Sequence, residues 1–191
     1  MTATDNLTIE TFIEERDELP DGGRWSELQT GKLVTLEPPT VEHGTTVLNL
    51  TKALSEFTHQ GGTGYACFEL GLIIARQPDT VRFPAVSFYV EGPRFAEADK
   101  VVTDARPALV VEVASTNDRR RGMHDRVTTW LEWGASSVWV IDPHSKEVHT
   151  FEKKGPSKQL SGDETLTGGS ILAGFELALS ELFKEPAWYR K

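Results

Sequence analysis

Ala108-Leu109-Val110-Val111-Glu112-Val113-Ala114 is followed by Ser115-Thr116-Asn117-Asp118, a polar helical run to Gly134, and then Ser137-Val138-Trp139-Val140-Ile141. The two apolar runs are short and rich in β-branched residues, as expected for strands covered on both faces. The polar cluster between them supplies capping residues for a helix. Met123, Val127, Trp130 and Leu131 would form the buried stripe of that helix, and Gly134 would end it. A strand, a helix and a strand in this order imply a right-handed crossover with the two strands parallel. The expected fold class is therefore α/β, a mixed central β-sheet flanked by helices. Glu112 is the anomaly, because burying an ionised carboxylate alone is very costly, so a cation or a metal should meet it.

Working outward, Asp142-Pro143-His144-Ser145 reads as a turn and Glu147 to Glu152 as the hairpin partner of the second strand. Upstream, Phe68 to Ala75 reads as one strand, Gln77-Pro78-Asp79 as a turn and Val86 to Val90 as the next strand, together a hairpin. Lys32 to Leu36 is a strand stopped by Glu37-Pro38-Pro39. Thr40 then caps a helix whose Val47, Leu50, Leu54 and Phe57 recur at three- and four-residue spacing up to Gly61-Gly62. The expected organisation is an N-terminal lead-in over 1–23, one domain over 24–183 and a C-terminal tail over 184–191.

The length of 191 residues with 38% hydrophobic content suits one sizeable core rather than two. Cys67 is the lone cysteine, which excludes an internal disulfide framework and a cysteine-based zinc site and fits a reducing, cytoplasmic setting. No run approaches the roughly 20 apolar residues that span a bilayer, so no membrane partner is expected. A net charge of -9 argues against broad attraction to nucleic acid, so any such contact must be local. The dense basic run Arg119-Arg120-Arg121 is either a solvated helix start or a phosphate-facing group.

Specific segments carry a resemblance. Trp25-Ser26-Glu27-Leu28-Gln29-Thr30-Gly31-Lys32-Leu33-Val34, Asp79-Thr80-Val81-Arg82-Phe83-Pro84 and Leu109 to Ser115 resemble the Uma-type restriction endonuclease family. So do Trp130-Leu131-Glu132-Trp133-Gly134, Val138 to Pro143 and Leu172-Ala173-Gly174-Phe175, and the likeness covers roughly 24–183. The resemblance implies a restriction-endonuclease-like core and metal-dependent cleavage of nucleic acid, DNA by preference, with Mg²⁺ or Mn²⁺ as cofactor. By the same resemblance Glu27 matches an early acid and Glu112 the second motif carboxylate, which makes them the metal ligands. Arg126, four positions before Trp130, stands where the family has a lysine, and Ala85 in Pro84-Ala85 stands where it has the aspartate of a Pro-Asp pair. Glu112, Glu27 and Arg126 are thus the catalytic candidates, with His43 and Arg119 as substrate-binding candidates.

Alanine offers a metal no oxygen, and arginine stays protonated where lysine can exchange a proton. If each change costs on the order of 10² to 10³ in rate, together they remove about 10⁵. Glu69, Asp79 and Asp104 are alternative sources of the missing oxygen. The rival reading is a catalytically silent nuclease-fold domain that binds nucleic acid or a protein partner, a second copy in a homodimer included. Individual residues also have plainer readings: Glu112 and Arg126 as an inert ion pair, Glu27 as a surface acid at a strand edge, and His43 as a solvated helix-start residue. Of the five tryptophans, Trp130 and Trp139 are expected in the core, whereas Trp25, Trp133 and Trp188 are open to other roles.

Overall fold

The computed structural model describes residues 6–186, which leaves Trp188 outside the described residues. In chain order it comprises α1 (Ile9–Glu15), β1 (Ser26–Gln29), β2 (Lys32–Thr35), α2 (Val41–His59), β3 (Tyr65–Phe68) and β4 (Gly71–Ala75). β5 (Thr80–Arg82), β6 (Val86–Tyr89), β7 (Val102–Thr103), β8 (Leu109–Val113), α3 (Asn117–Arg121) and α4 (Met123–Trp133) follow. The chain continues through β9 (Ser137–Asp142), β10 (Glu147–Glu152), β11 (Lys158–Leu160), β12 (Thr165–Thr167), β13 (Glu176–Ala178) and α5 (Leu179–Leu182).

β8 is buried at every position, as its apolar run demands. It pairs antiparallel with β6 on one side and parallel with β9 on the other, so the expected crossover is present. The six-stranded sheet runs in the order β11-β10-β9-β8-β6-β3. Because successive strand side chains point to opposite faces, Leu109, Val111 and Val113 pack with Leu50 and Leu54 of α2 and with Leu172, Phe175 and Leu182 from the C-terminal segment. Val110 instead packs with Met123, Val127 and Trp130 of α4. Glu112 shares the Val110 face by register, and that face looks toward α4.

The central sheet is not single. A second, five-stranded sheet runs β2-β1-β5-β4-β7. Phe68 to Ala75, expected as one strand, divides between the two sheets. β3 pairs with β6 in the first, Glu69 turns with φ 49°, and β4 pairs with β5 in the second. Gln77-Pro78-Asp79 therefore joins β4 to β5, not to β6. Hydropathy shows an apolar run but carries no record of which neighbour each half pairs with. The helix expected from the capping cluster to Gly134 is likewise broken at Gly122, which ends α3 and starts α4.

The β1–β2 hairpin turns through Thr30 and Gly31 with φ 50° and 75°. Two positive φ values suit a two-residue turn and favour glycine at the second position. α1 lays Ile9 and Phe12 against Leu28 and Val81 of this sheet. Asp79 anchors it by accepting from the Ile9 N–H at 2.8 Å and the Gln77 N–H at 3.1 Å. No helix among the described residues is long and apolar enough to cross a membrane.

Phe88 of β6 is fully buried in the larger core cluster. Phe88→Ala should lower unfolding stability by about 3–5 kcal/mol, as loss of a buried aromatic with partial collapse typically does. Urea denaturation measures it, and a change under about 1 kcal/mol contradicts the packing described.

Candidate functional site

Three elements converge where the two sheets meet. β1 delivers Glu27 from the five-stranded sheet, β8 delivers Glu112 from the six-stranded sheet, and α4 delivers Arg126 between them. Arg126 Nη1 and Nη2 donate to Oε2 and Oε1 of Glu27 at 2.7 and 2.9 Å. Its Nε donates to Oε1 of Glu112 at 2.9 Å, and Nη2 lies 2.9 Å from the same oxygen. Trp130 follows Arg126 by one helical turn and so points the same way. Its Nε1 donates to that Glu112 oxygen at 2.7 Å. The Phe83 N–H and the Gln29 amide complete the Glu27 carboxylate at 3.1 and 3.3 Å. Glu27, Glu112 and Arg126 are 1%, 2% and 7% exposed, so these charges are answered by one another and scarcely by water.

Burial alone would raise the Glu27 pKa, but attraction to Arg126, the hydrogen bonds from it and the Phe83 N–H outweigh burial. The carboxyl is held below its ordinary range. Burial would likewise discharge Arg126, yet Glu112 and Glu27 overcome it and raise its pKa further. Both carboxylates are thereby committed to a permanent cation.

A cavity of about 30 Å³, room for a water or two, opens beside this cluster. Its walls include Glu27, Ala85, Glu112, His43, Arg119 and Glu69. Burial, aided by the positive charge of Arg119, pushes the His43 pKa down to about 4, so its ring is neutral near pH 7. His43 Nδ1 lies 3.0 Å from the Ser115 hydroxyl. Arg119 Nε is buried with no hydrogen-bond partner among the described residues, as are Nε and Nη1 of nearby Arg82. Burial lowers the pKa of both arginines, partly opposed by the two glutamates.

The structure therefore brings Glu27, Glu112 and Arg126 into direct contact and sets His43 and Arg119 on the same pocket wall. Glu27 is no surface acid at a strand edge, because β1 lies between β2 and β5. Of the alternative oxygen donors, Glu69 lines the pocket, Asp79 is committed to α1, and Asp104 is exposed and outside the pocket wall. Arg120, the middle of the basic run, is bound to Asp142 at 2.7 and 3.0 Å. Sequence reasoning missed the polar roles of Trp130, Gln29 and the Phe83 N–H. The Trp130 role was signalled by its spacing from Arg126. The other two depend on sheet pairing, which leaves no local trace.

Mg²⁺ or Mn²⁺ would need several oxygens around it, commonly including carboxylates. Ala85 provides none, and Arg126 occupies both oxygens of Glu27 and one of Glu112. Among the described residues no group of three or more His, Cys, Asp or Glu side chains is placed to hold a metal ion. The residues as arranged do not fit a divalent ion.

Residues 13–180 match the family model Uma2, described as "Putative restriction endonuclease". Among solved structures the chain is similar to a putative nuclease belonging to DUF820 from Anabaena variabilis ATCC 29413. The two share 18% identity with a TM-score of 0.74, covering 93% of this chain and 97% of the other. At that identity the likeness shows the fold. No curated protein matches.

Acid should weaken the protein in two steps. His43 binds a proton near pH 6.5 when unfolded but only near pH 4 when folded, so its contribution is complete above about pH 6.5 and is lost as pH falls toward 4. Glu27, depressed in the fold, contributes above its unfolded value of about 4.3, and that part is lost at still lower pH. Urea midpoints from pH 7 to 4 should decline, and His43→Gln should flatten the decline. An unchanged slope in that variant contradicts the assignment. Separately, Glu27→Ala should cost about 3 kcal/mol or more by leaving Arg126 incompletely paired in a buried place, read from the same denaturation curves.

Proposed function

The chain belongs to the Uma2 family of putative restriction endonucleases, and from that premise we propose that it is a nuclease-fold protein that grips the DNA backbone without hydrolysing it. The observation that carries this reading is the closed bridge from Arg126 to Glu27 and Glu112. In the family's reaction, carboxylates at this place hold a divalent ion that activates water and neutralises charge on the scissile phosphate. Here both oxygens of Glu27 and one of Glu112 are spent on a guanidinium, and that guanidinium holds its proton too tightly to take part in proton exchange.

Binding is supported by what the bridge leaves over. Arg119 lines the pocket with its Nε lacking a partner among the described residues, and a guanidinium suits a phosphate because it can bond it through two N–H groups at once. His43, neutral beside it, offers a hydrogen bond without adding charge. With a net charge of -9 the attraction is confined to this mouth, so affinity rests on a few contacts and is weak, with a shallow salt dependence because few counterions are released. The free, buried thiol of Cys67 supports a reducing, cytoplasmic setting.

A second reading, hydrolysis through a relocated ligand, is favoured by one observation: Glu69 lines the same pocket in a left-handed backbone conformation that non-glycine residues seldom adopt. Incubation of plasmid DNA with the full chain and Mg²⁺ or Mn²⁺ separates the two readings. No nicking is expected. Nicking that disappears in Glu69→Gln establishes the second reading and overturns the first. In parallel, fluorescence anisotropy with a labelled DNA duplex at low salt should show binding that weakens about 10-fold or more in Arg119→Glu. Equal affinity in that variant, or binding to RNA alone, refutes the DNA assignment.

A further inference from the structure

Glu27 and Glu112 arrive from different sheets, and nothing in their own strands holds two buried carboxylates so near each other. Like charges at such a place repel strongly unless a cation lies between them. In metal-dependent sites that cation is an ion from solution. Here it is a side chain of the chain itself, with its nitrogens 2.7 to 2.9 Å from both carboxylates. The methyl group of Ala85 borders the same cavity and adds no third negative charge. Two carboxylates face one guanidinium directly and two more, Arg82 and Arg119, at longer range, so no net negative charge remains to draw in a divalent ion past a fixed positive group.

We infer that Arg126 is the resident cation of this centre. It joins the two sheets through Glu27 and Glu112 as a divalent ion would, and the native centre therefore refuses Mn²⁺ while retaining a latent divalent-ion site that opens when the guanidinium is withdrawn. The inference rests on the reading of the centre as a non-hydrolysing one and deepens it by naming what fills the cation position.

The test is thermal unfolding of the full chain with and without millimolar MnCl₂, joined to electron paramagnetic resonance counting of bound Mn²⁺. The unaltered chain should melt at the same temperature with and without Mn²⁺ and bind none. Arg126→Ala should melt several degrees lower, and Mn²⁺ should restore much of that loss with one ion bound. Adding Glu112→Gln to Arg126→Ala should abolish the response. Adding Ala85→Asp should instead tighten Mn²⁺ binding about 10-fold or more. Where Arg126→Ala does not fold, Arg126→Met keeps the bulk of the side chain and serves in its place.

Mn²⁺ bound by the unaltered chain and lost in Glu112→Gln overturns the inference. A folded Arg126→Ala or Arg126→Met protein that is indifferent to Mn²⁺ overturns it too. Nicking of DNA by the unaltered chain that survives Glu112→Gln would sink the non-hydrolysing reading alone, so the two failures are distinguishable.

Discussion

The arrangement of this protein depends on one guanidinium placed between two carboxylates that come from separate sheets. Each of the three groups would be expensive to bury alone. Together, with the indole of Trp130 and the Phe83 N–H donating to the carboxylates as well, they form a mutually bonded polar knot where the two sheets meet. The knot fixes the position of β1 against β8 and α4, and with it the shape of the small cavity at their junction. Apolar packing supplies most of the drive to fold, but hydrophobic contact is tolerant of sliding, whereas the paired hydrogen bonds of a guanidinium accept only one register.

Much of this was legible in the amino-acid sequence, and the reasons differ by element. β8 and β9 declared themselves by uninterrupted β-branched runs, and α4 by the spacing of Met123, Val127 and Trp130. Their parallel pairing then followed from chain handedness. Glu112 was conspicuous because its surroundings were wrong for a lone charge, and Arg126 was an expected partner because it borders the buried stripe of the next helix. The division of the run from Phe68 to Ala75 between two sheets was not legible. Both halves are apolar, and the decision rests on pairing with β6 and β5, which lie further along the chain. The burial of Glu27 was hidden for a similar reason, since its partners are the Phe83 N–H just past β5 and Arg126 on a helix nearly a hundred residues away.

Family membership and fold set one expectation, and the side chains at the centre set another. The overall likeness to a putative nuclease extends over nearly the whole chain, yet fold alone does not carry chemistry, which resides in particular groups. Alanine at position 85 and arginine at 126, where the family resemblance implies an acid and a lysine, demand little change in volume but remove one negative charge. These changes do alter which atoms are free to react. Arg119 lines the cavity, and its Nε has no partner among the described residues.

The seam between the sheets also bears on how the molecule moves. A cleft lined only by apolar groups can flex like a jaw, because each small opening exposes a little surface at modest expense. One sealed by a buried ionic knot cannot open by degrees: the first separation of Glu27 from Arg126 strands opposite charges in a dry place, so intermediate gapes are penalised more than either extreme. The mouth beside Ala85 should therefore behave as a rigid mould that selects what already fits, and the two sheets should melt as one body.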